Sequence, residues 1–198
     1  MRILHISKYY YPYIGGVENI CKYIVEGDTG HETAVVCFNE ENKDVIDEVN
    51  GHKVYRVSTW INVARQALSL SYFPMLRKAI KEFKPDLIHF HWANPFPAAV
   101  LLAVMPKNVK LVIHWHMDII KQKRIYPFIK PIETALLKRA ESMFTVPKMI
   151  EECEISYNKI SDMNVMKFCR SGIIEYVSIP LAMSHIHAAH NVEQKMVA

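Results

Sequence analysis

The sequence predicts an α/β fold: one Rossmann-like domain built on a doubly wound parallel sheet. Two observations predict it. Short runs rich in Val, Ile and Leu alternate with helix-length stretches along most of the chain. Two of these runs end in His and the first leads into a loop with two glycines, and the carboxyl ends of strands are where open parallel sheets collect their chemistry.

Taken in order, "RILHIS" (2–7) reads as a short buried strand, followed by the loop "KYYYPYIGG" (8–16). Residues 17–27 have helical spacing, with Val17, Ile20, Cys21 and Ile24 on one face. "HETAVVCF" (31–38) and "HKVYRVST" (52–59) are the second and third strands. Residues 62–83 read as one long amphipathic helix, with basic residues in its last turns and Pro85 beyond. "DLIHFH" (86–91) is the fourth strand, and "PFPAAVLLAVM" a helix entered through prolines. "VKLVIHWH" (109–116) is the fifth strand, residues from about 131 to 140 are helical, and "SMFTV" (142–146) is the sixth. Beyond 147 the pattern weakens to one helix and a strand at 173–180, with an aperiodic tail.

The 198 residues are 51% hydrophobic and 22% charged, which suits one globular domain. The apolar run "AAVLLAVM" (98–105) falls far short of the ~20 residues that a membrane span needs. The N-terminus lacks a signal-peptide pattern, and the four cysteines form no C-x-x-C pair, so a reduced, cytoplasmic setting is expected. The net charge of +4 is unevenly placed. Lys107, Lys110, Lys121, Lys123, Arg124, Lys130, Lys138 and Arg139 face only Asp118 and Glu133 over that segment. Such a segment attracts phosphate or an anionic leaflet, or is a solvated helix face. No nucleic-acid-binding motif accompanies it, so nucleic acid is not an expected partner.

Three stretches carry candidate chemistry. In "YPYIGGVEN", Gly15 and Gly16 lie between a strand and a helix, where free N–H groups favour an anion; the plain alternative is a tight turn. Neither the dinucleotide fingerprint nor the P-loop is present. The fourth and fifth strands both end in His-x-His: His89 with His91, and His114 with His116. Alternation puts each pair on one face. Together with Asp118 they could ligate a metal, but carboxylates are sparse near these strand ends. For His89 and His114 a core histidine satisfied by its neighbours is the plainer reading. His116, last in its strand, is the one suited to orienting or proton chemistry. Lys121, Lys123 and Arg124 follow as an acceptor-phosphate cluster or as solvated charge, and Tyr9 to Tyr13 as a sugar platform or as core packing.

In that order, "MRILHISKYYYPYIGGVEN", "GHETAVVCF", "KPDLIHFHWANP", "HWHMDIIKQKRIY", "LLKRAESMFTVP" and "VSIPLAMS" resemble the N-terminal domain of family-4 glycosyltransferases, the retaining GT-B group, over roughly residues 1–184. The resemblance implies half of a GT-B fold: two Rossmann-like domains face a cleft, the N-terminal one holding the acceptor and the other a nucleotide-sugar donor. It implies no metal and no cofactor beyond that donor. By matching motifs, His116 and Asp118 take the catalytic positions. Gly15, Gly16, Glu18, His91, Asn94, Lys121, Lys123 and Arg124 fall on the donor- and acceptor-binding side.

There are departures from the family pattern. Met117 stands where Ser is common in W-H-S-D, and Val146 where Ser is common in T-S-P. The stretch Ile179 to Ser184 lacks the Gly and Asp of I-P-x-G-[IV]-D, and no E-x7-E carboxylates follow. The expected organisation is therefore a glycosyltransferase 4-like N-terminal domain at 1–184 and a divergent tail at 185–198. This is a truncated, acceptor-side half that is inactive alone, or a subunit whose partner supplies the donor domain, since transfer needs both substrates positioned and the leaving diphosphate neutralised. The alternatives are a non-catalytic module binding a glycan or lipid-linked acceptor, and a metal hydrolase using His114, His116 and Asp118. Lipid-linked acceptors would place the protein at the inner face of the membrane.

Overall fold

The computed structural model describes residues 1–63, 66–117, 119 and 125–145, and the backbone of 165–167. The chain order is β1 (Arg2–Ile6), α1 (Gly16–Gly27), β2 (Glu32–Phe38), β3 (Val45–Val49), β4 (His52–Val57), β5 (Ile61–Val63), β6 (Gln66–Leu68), α2 (Tyr72–Phe83), β7 (Leu87–Trp92), α3 (Pro95–Val104), β8 (Lys110–Trp115), α4 (Tyr126–Arg139), β9 (Ser142–Thr145) and β10 (Val165–Lys167). Eight strands form one sheet in the order β10-β9-β8-β7-β1-β2-β4-β3. Every pairing in it is parallel except β3 with β4. Leaving β3 aside, the parallel strands run 3-2-1-4-5-6 from β4 to β9, the Rossmann order that the alternating pattern predicts.

Alternation explains the two faces. Leu4, Ile6, Ile88, Phe90, Trp92, Ile113 and Trp115 turn to one side and share a core with α2, α3 and α4. Val35, Cys37 and Val54 turn to the other and pack with Cys21 and Val25 of α1. Burying each such side chain is worth about 1.5–3 kcal/mol, so both layers contribute. His5 pairs with Val35 and with His89, and His91 with His114. All five histidines of β1, β7 and the β8 end therefore lie on the α1 face.

Three elements differ from the sequence-based expectation. The stretch 62–83 is not one helix: a small β5–β6 hairpin precedes α2, which starts at Tyr72. Pro74, at the third helical position, marks that start, where its missing N–H costs nothing. The β3–β4 hairpin turns at Asn50 and Gly51, both with positive φ, which is the chemistry of a two-residue primed turn. α4 begins at Tyr126, ahead of Pro131, because Pro127 fits its first turn. The strand expected at 173–180 and the helix before it lie outside the described residues.

Candidate functional site

The winding reverses between β1 and β7, so the loops that leave these strands part and open a crevice at their carboxyl ends. Loop 7–15 leaves β1. It is tied to the sheet by Ser7 N–H donating to the Val36 carbonyl (3.1 Å) and Phe38 N–H to the Lys8 carbonyl (2.8 Å). Arg56, buried in β4, fixes its far side. Its Nη2 donates to the Tyr11 carbonyl (2.6 Å), and its Nε to both Asp47 oxygens (3.0 and 3.2 Å). The Tyr9 and Tyr13 rings stack at 4.5 Å. They line a cleft of about 320 Å³ together with Asn39, Glu40, Lys43 and Arg56. Burial pushes the Tyr9 phenol above its ordinary range, so it stays a neutral donor.

Gly15 is the N-cap of α1, in extended backbone, and Gly16 is its first residue. A Cβ on Gly15 would collide with the Glu18 carboxylate, whereas one on Gly16 would meet open space. The buried Glu18 carboxylate thus rests over the helix N-terminus, where the dipole favours it. Gly16 leaves its backbone open to an approaching ligand. The end of α1 where an anion was expected thus already carries a carboxylate of the chain's own.

The second wall is histidine. His116 follows β8 by one residue, and its N–H still joins the ladder, donating to the Trp92 carbonyl at 3.3 Å. Its ring stacks on His114 at 4.0 Å and lies nearly parallel to that of His91, at 9° with the centroids 5.2 Å apart. His91 Nδ1 lies 2.9 Å from His116 Nε2, and His5 Nδ1 lies 3.4 Å from His91 Nε2. His5, His89 and His91 are wholly buried, while His114 and His116 are 2% and 9% exposed. Burial, aided by the neighbouring His114, holds His116 well below the usual imidazole pKa, so it is neutral at pH 7. His89, His91 and His114, and separately His5, Cys21 and His91, bring potential ligand atoms within 4.8 Å of one another. However, the His89 and His91 planes lie 6° apart, and those of His91 and His114 24° apart. Imidazole lone pairs lie in the ring plane, so stacked rings aim them side by side and not at one point. Burial also raises the Cys21 thiol far above its ordinary range and keeps it protonated, where a metal needs thiolate.

Of the candidates read from sequence, Gly15, Gly16, Glu18, His91, Asn94 and His116 lie at the carboxyl ends of β1, β7 and β8 or in the segments that follow them. His91 stands behind His116 without exposed surface of its own. Asn94 is buried at the N-cap of α3, its Nδ2 donating to the His91 carbonyl at 3.5 Å. Asp118, Lys121, Lys123 and Arg124 lie outside the described residues. The rest of the basic segment is partly structural. Arg139 Nη2 donates to the carbonyls of Pro106, Lys107 and Val109, and Lys110 pairs with Glu141 at 3.2 Å. His5 and Arg56 escaped the sequence reading. His5 was findable from its position, one strand over from His89, but only with the register in hand. A larger groove of about 1180 Å³ runs along α2 past Arg77, Lys81 and Lys84 to Arg2 and Asp86. It reaches the amino ends of β1 and β7, away from the crevice that this topology provides.

A Rossmann-ordered sheet with a glycine-headed helix and a neutral strand-tip histidine at its switch point defines the class: a doubly wound α/β domain, whose ligands bind at that end of the strands. Residues 14–159 match the profile of Glycosyltransferase Family 4, and the chain belongs to that family. It is 29% identical over 145 residues to O-antigen chain mannosyltransferase C of Escherichia coli, covering 69% of this chain and 37% of that protein. It is 27% identical over 140 residues to D-rhamnosyltransferase WbpZ of Pseudomonas aeruginosa, covering 69% of this chain and 36% of that one. The chain thus spans little more than a third of the length of these curated relatives. Among solved structures it is similar to an alpha-glucosyltransferase in complex with UDP and a 13-mer DNA containing a HMU base, with a TM-score of 0.47 and 12% identity over 73% of this chain and 37% of that one. Among the described residues, no helix is long and apolar enough to cross a membrane.

Proposed function

We propose that this chain is the acceptor-side half of a GT-B glycosyltransferase, which moves a sugar from a nucleotide donor to a glycan or lipid-linked acceptor. The observation that carries the reading is the neutral His116 one residue past β8, at the same carboxyl end of the sheet as the loop after β1 with its Tyr9–Tyr13 stack and the open Gly16 that starts α1. A neutral imidazole exchanges hydrogen bonds with sugar hydroxyls without burying charge. Stacked tyrosines offer the apolar ring face and polar tips that a pyranose matches. In this assignment His116 and Asp118 act at the reaction centre. Gly15, Gly16 and Glu18 border the donor diphosphate, and His91, Asn94, Lys121, Lys123 and Arg124 complete the binding side. The domain covers 1–184, with 185–198 as a tail. Donor binding is assigned to a region outside these 198 residues, because the chain covers only 37% and 36% of its relatives. Lipid-linked acceptors imply peripheral contact with a membrane.

Binding to acceptor without turnover is a second reading, favoured by one fact: the tyrosine cleft is formed wholly by residues 9–56. One experiment addresses both. The 198-residue chain, given radiolabelled GDP-mannose or UDP-glucose and a mannose-containing oligosaccharide, is expected to give no transfer above a His116→Ala control. The oligosaccharide alone is expected to protect amides of loop 8–16 from hydrogen exchange. Transfer by the chain alone overturns the division of labour, and absence of protection overturns acceptor binding.

A further inference from the structure

We infer that His91 is a positioning residue for His116, holding it in one tautomer through the Nδ1···Nε2 hydrogen bond, with His5 extending the same line one strand further. The functional weight of this inference rests on the transferase reading; the hydrogen-bond line does not. Three strands contribute one ring each: β1 gives His5, β7 gives His91, and the end of β8 gives His116. The contacts run Nδ1 to Nε2 at 3.4 Å and Nδ1 to Nε2 at 2.9 Å, so each joins a δ nitrogen to an ε nitrogen.

In a hydrogen bond between two imidazoles one nitrogen donates and the other accepts. While each ring carries a single proton, the choice at one contact fixes the choice at the next. If His91 Nδ1 donates, His116 Nε2 accepts and the His116 proton must sit on Nδ1. His91 Nε2 is then the acceptor facing His5. If the sense reverses, all three rings reverse together. Whether the remaining nitrogen of His116 offers a proton or a lone pair to a sugar hydroxyl is therefore decided behind it, in the sheet. Packing adds rigidity: the His91 and His116 planes lie within 9°, as an in-plane hydrogen bond requires, and the His116 ring stacks on His114 at 4.0 Å, so it cannot rotate out of line without losing both contacts. Such support behind a contacting imidazole is the usual way in which its tautomer is set.

The test is long-range ¹H–¹⁵N NMR of histidine-labelled 198-residue chain at pH 7.5, which reports the protonated nitrogen of each ring. His116 is expected to show one tautomer in about tenfold excess, the bias that one well-made buried hydrogen bond supports. Three variants separate positioning from packing. His91→Asn keeps a polar group where Nδ1 stood, and is expected to retain the single tautomer. His91→Gln moves that group to the Nε2 position, and His91→Phe removes it; both are expected to leave His116 in a mixture. Two interconverting His116 tautomers in the unmodified chain overturn the inference without any variant. So does an unchanged single tautomer in both His91→Gln and His91→Phe. Should acceptor protection fail while the tautomer coupling holds, the transferase reading falls and the hydrogen-bond line stands.

Discussion

At the scale of single residues, the neutrality of His116 has a thermodynamic consequence. Its folded pKa lies well below the ordinary imidazole value, because burial and the adjacent His114 disfavour the charged ring. Between that depressed value and about 6.5 the unfolded chain binds the proton that the folded chain refuses. Stability is then full above about pH 7 and falls as the pH drops below 6.5, by up to about 1.4 kcal/mol per pH unit for this one group. His116→Phe keeps a flat ring against His114 and removes the titration. Urea midpoints followed from pH 8 to pH 5 should therefore fall less steeply for His116→Phe than for the unmodified chain, whatever constant offset the substitution adds. Equal slopes would mean that His116 titrates normally in the fold. Much of this wall was legible in the residues. The alternation Ile88, His89, Phe90, His91, Trp92 separates an apolar face from a histidine face on parity alone. The inclusion of His5 was not legible, because register across strands is a tertiary property that β1 alone does not encode.

Elements show the same division between local and tertiary signals. The β3–β4 hairpin was written in Asn50-Gly51 between alternating residues, and Pro74 announced the start of α2; both are local signals that a long helical period obscured over 62–83. Nothing local announced that Arg56 reaches from β4 to hold loop 8–15. Its Nε–H is shared between the two Asp47 oxygens, but the Asp47 side chain is more than a third exposed, and such a pair contributes little. The charge-assisted bond to the Tyr11 carbonyl, made by a buried guanidinium, carries the larger share. A lysine at this position has no planar fork to serve Asp47 and Tyr11 at once. Arg56→Lys should therefore cost about 1–2 kcal/mol in urea unfolding. It should also speed amide exchange in residues 8–15 while leaving β7 and β8 protected. A stability loss with unchanged exchange in the loop would assign Arg56 to sheet packing alone.

For the whole molecule, the two ends of the sheet differ in character. Large apolar side chains stand exposed on the segments that follow the carboxyl ends of strands: Tyr13 and Ile14 after β1, Trp60 and Leu70 around the β5–β6 hairpin, and Phe128 in the first turn of α4. The opposite end is basic, with Arg2 and Lys84 closing a groove that Arg77 and Lys81 continue along α2. Exposed apolar side chains gathered toward one end of a sheet favour that end for contact with lipid or another protein. If the acceptor proposed above is anchored in a bilayer, the membrane that presents it has to approach the carboxyl ends of the strands, the apolar end. The basic end would turn the crevice away. Flotation with vesicles containing phosphatidylglycerol distinguishes the two ends. Trp60→Ser combined with Phe128→Ser is expected to lower the bound fraction several-fold. Arg77→Glu combined with Lys81→Glu is expected to leave most of it, because apolar insertion is weakly salt-dependent and the groove's attraction is screened within about 8 Å at physiological salt. If instead the charge reversals abolish flotation and the serine pair does not, the bilayer sits at the amino end of the sheet. A lipid-linked acceptor would then have to reach around the domain, and a soluble glycan becomes the better match to the crevice.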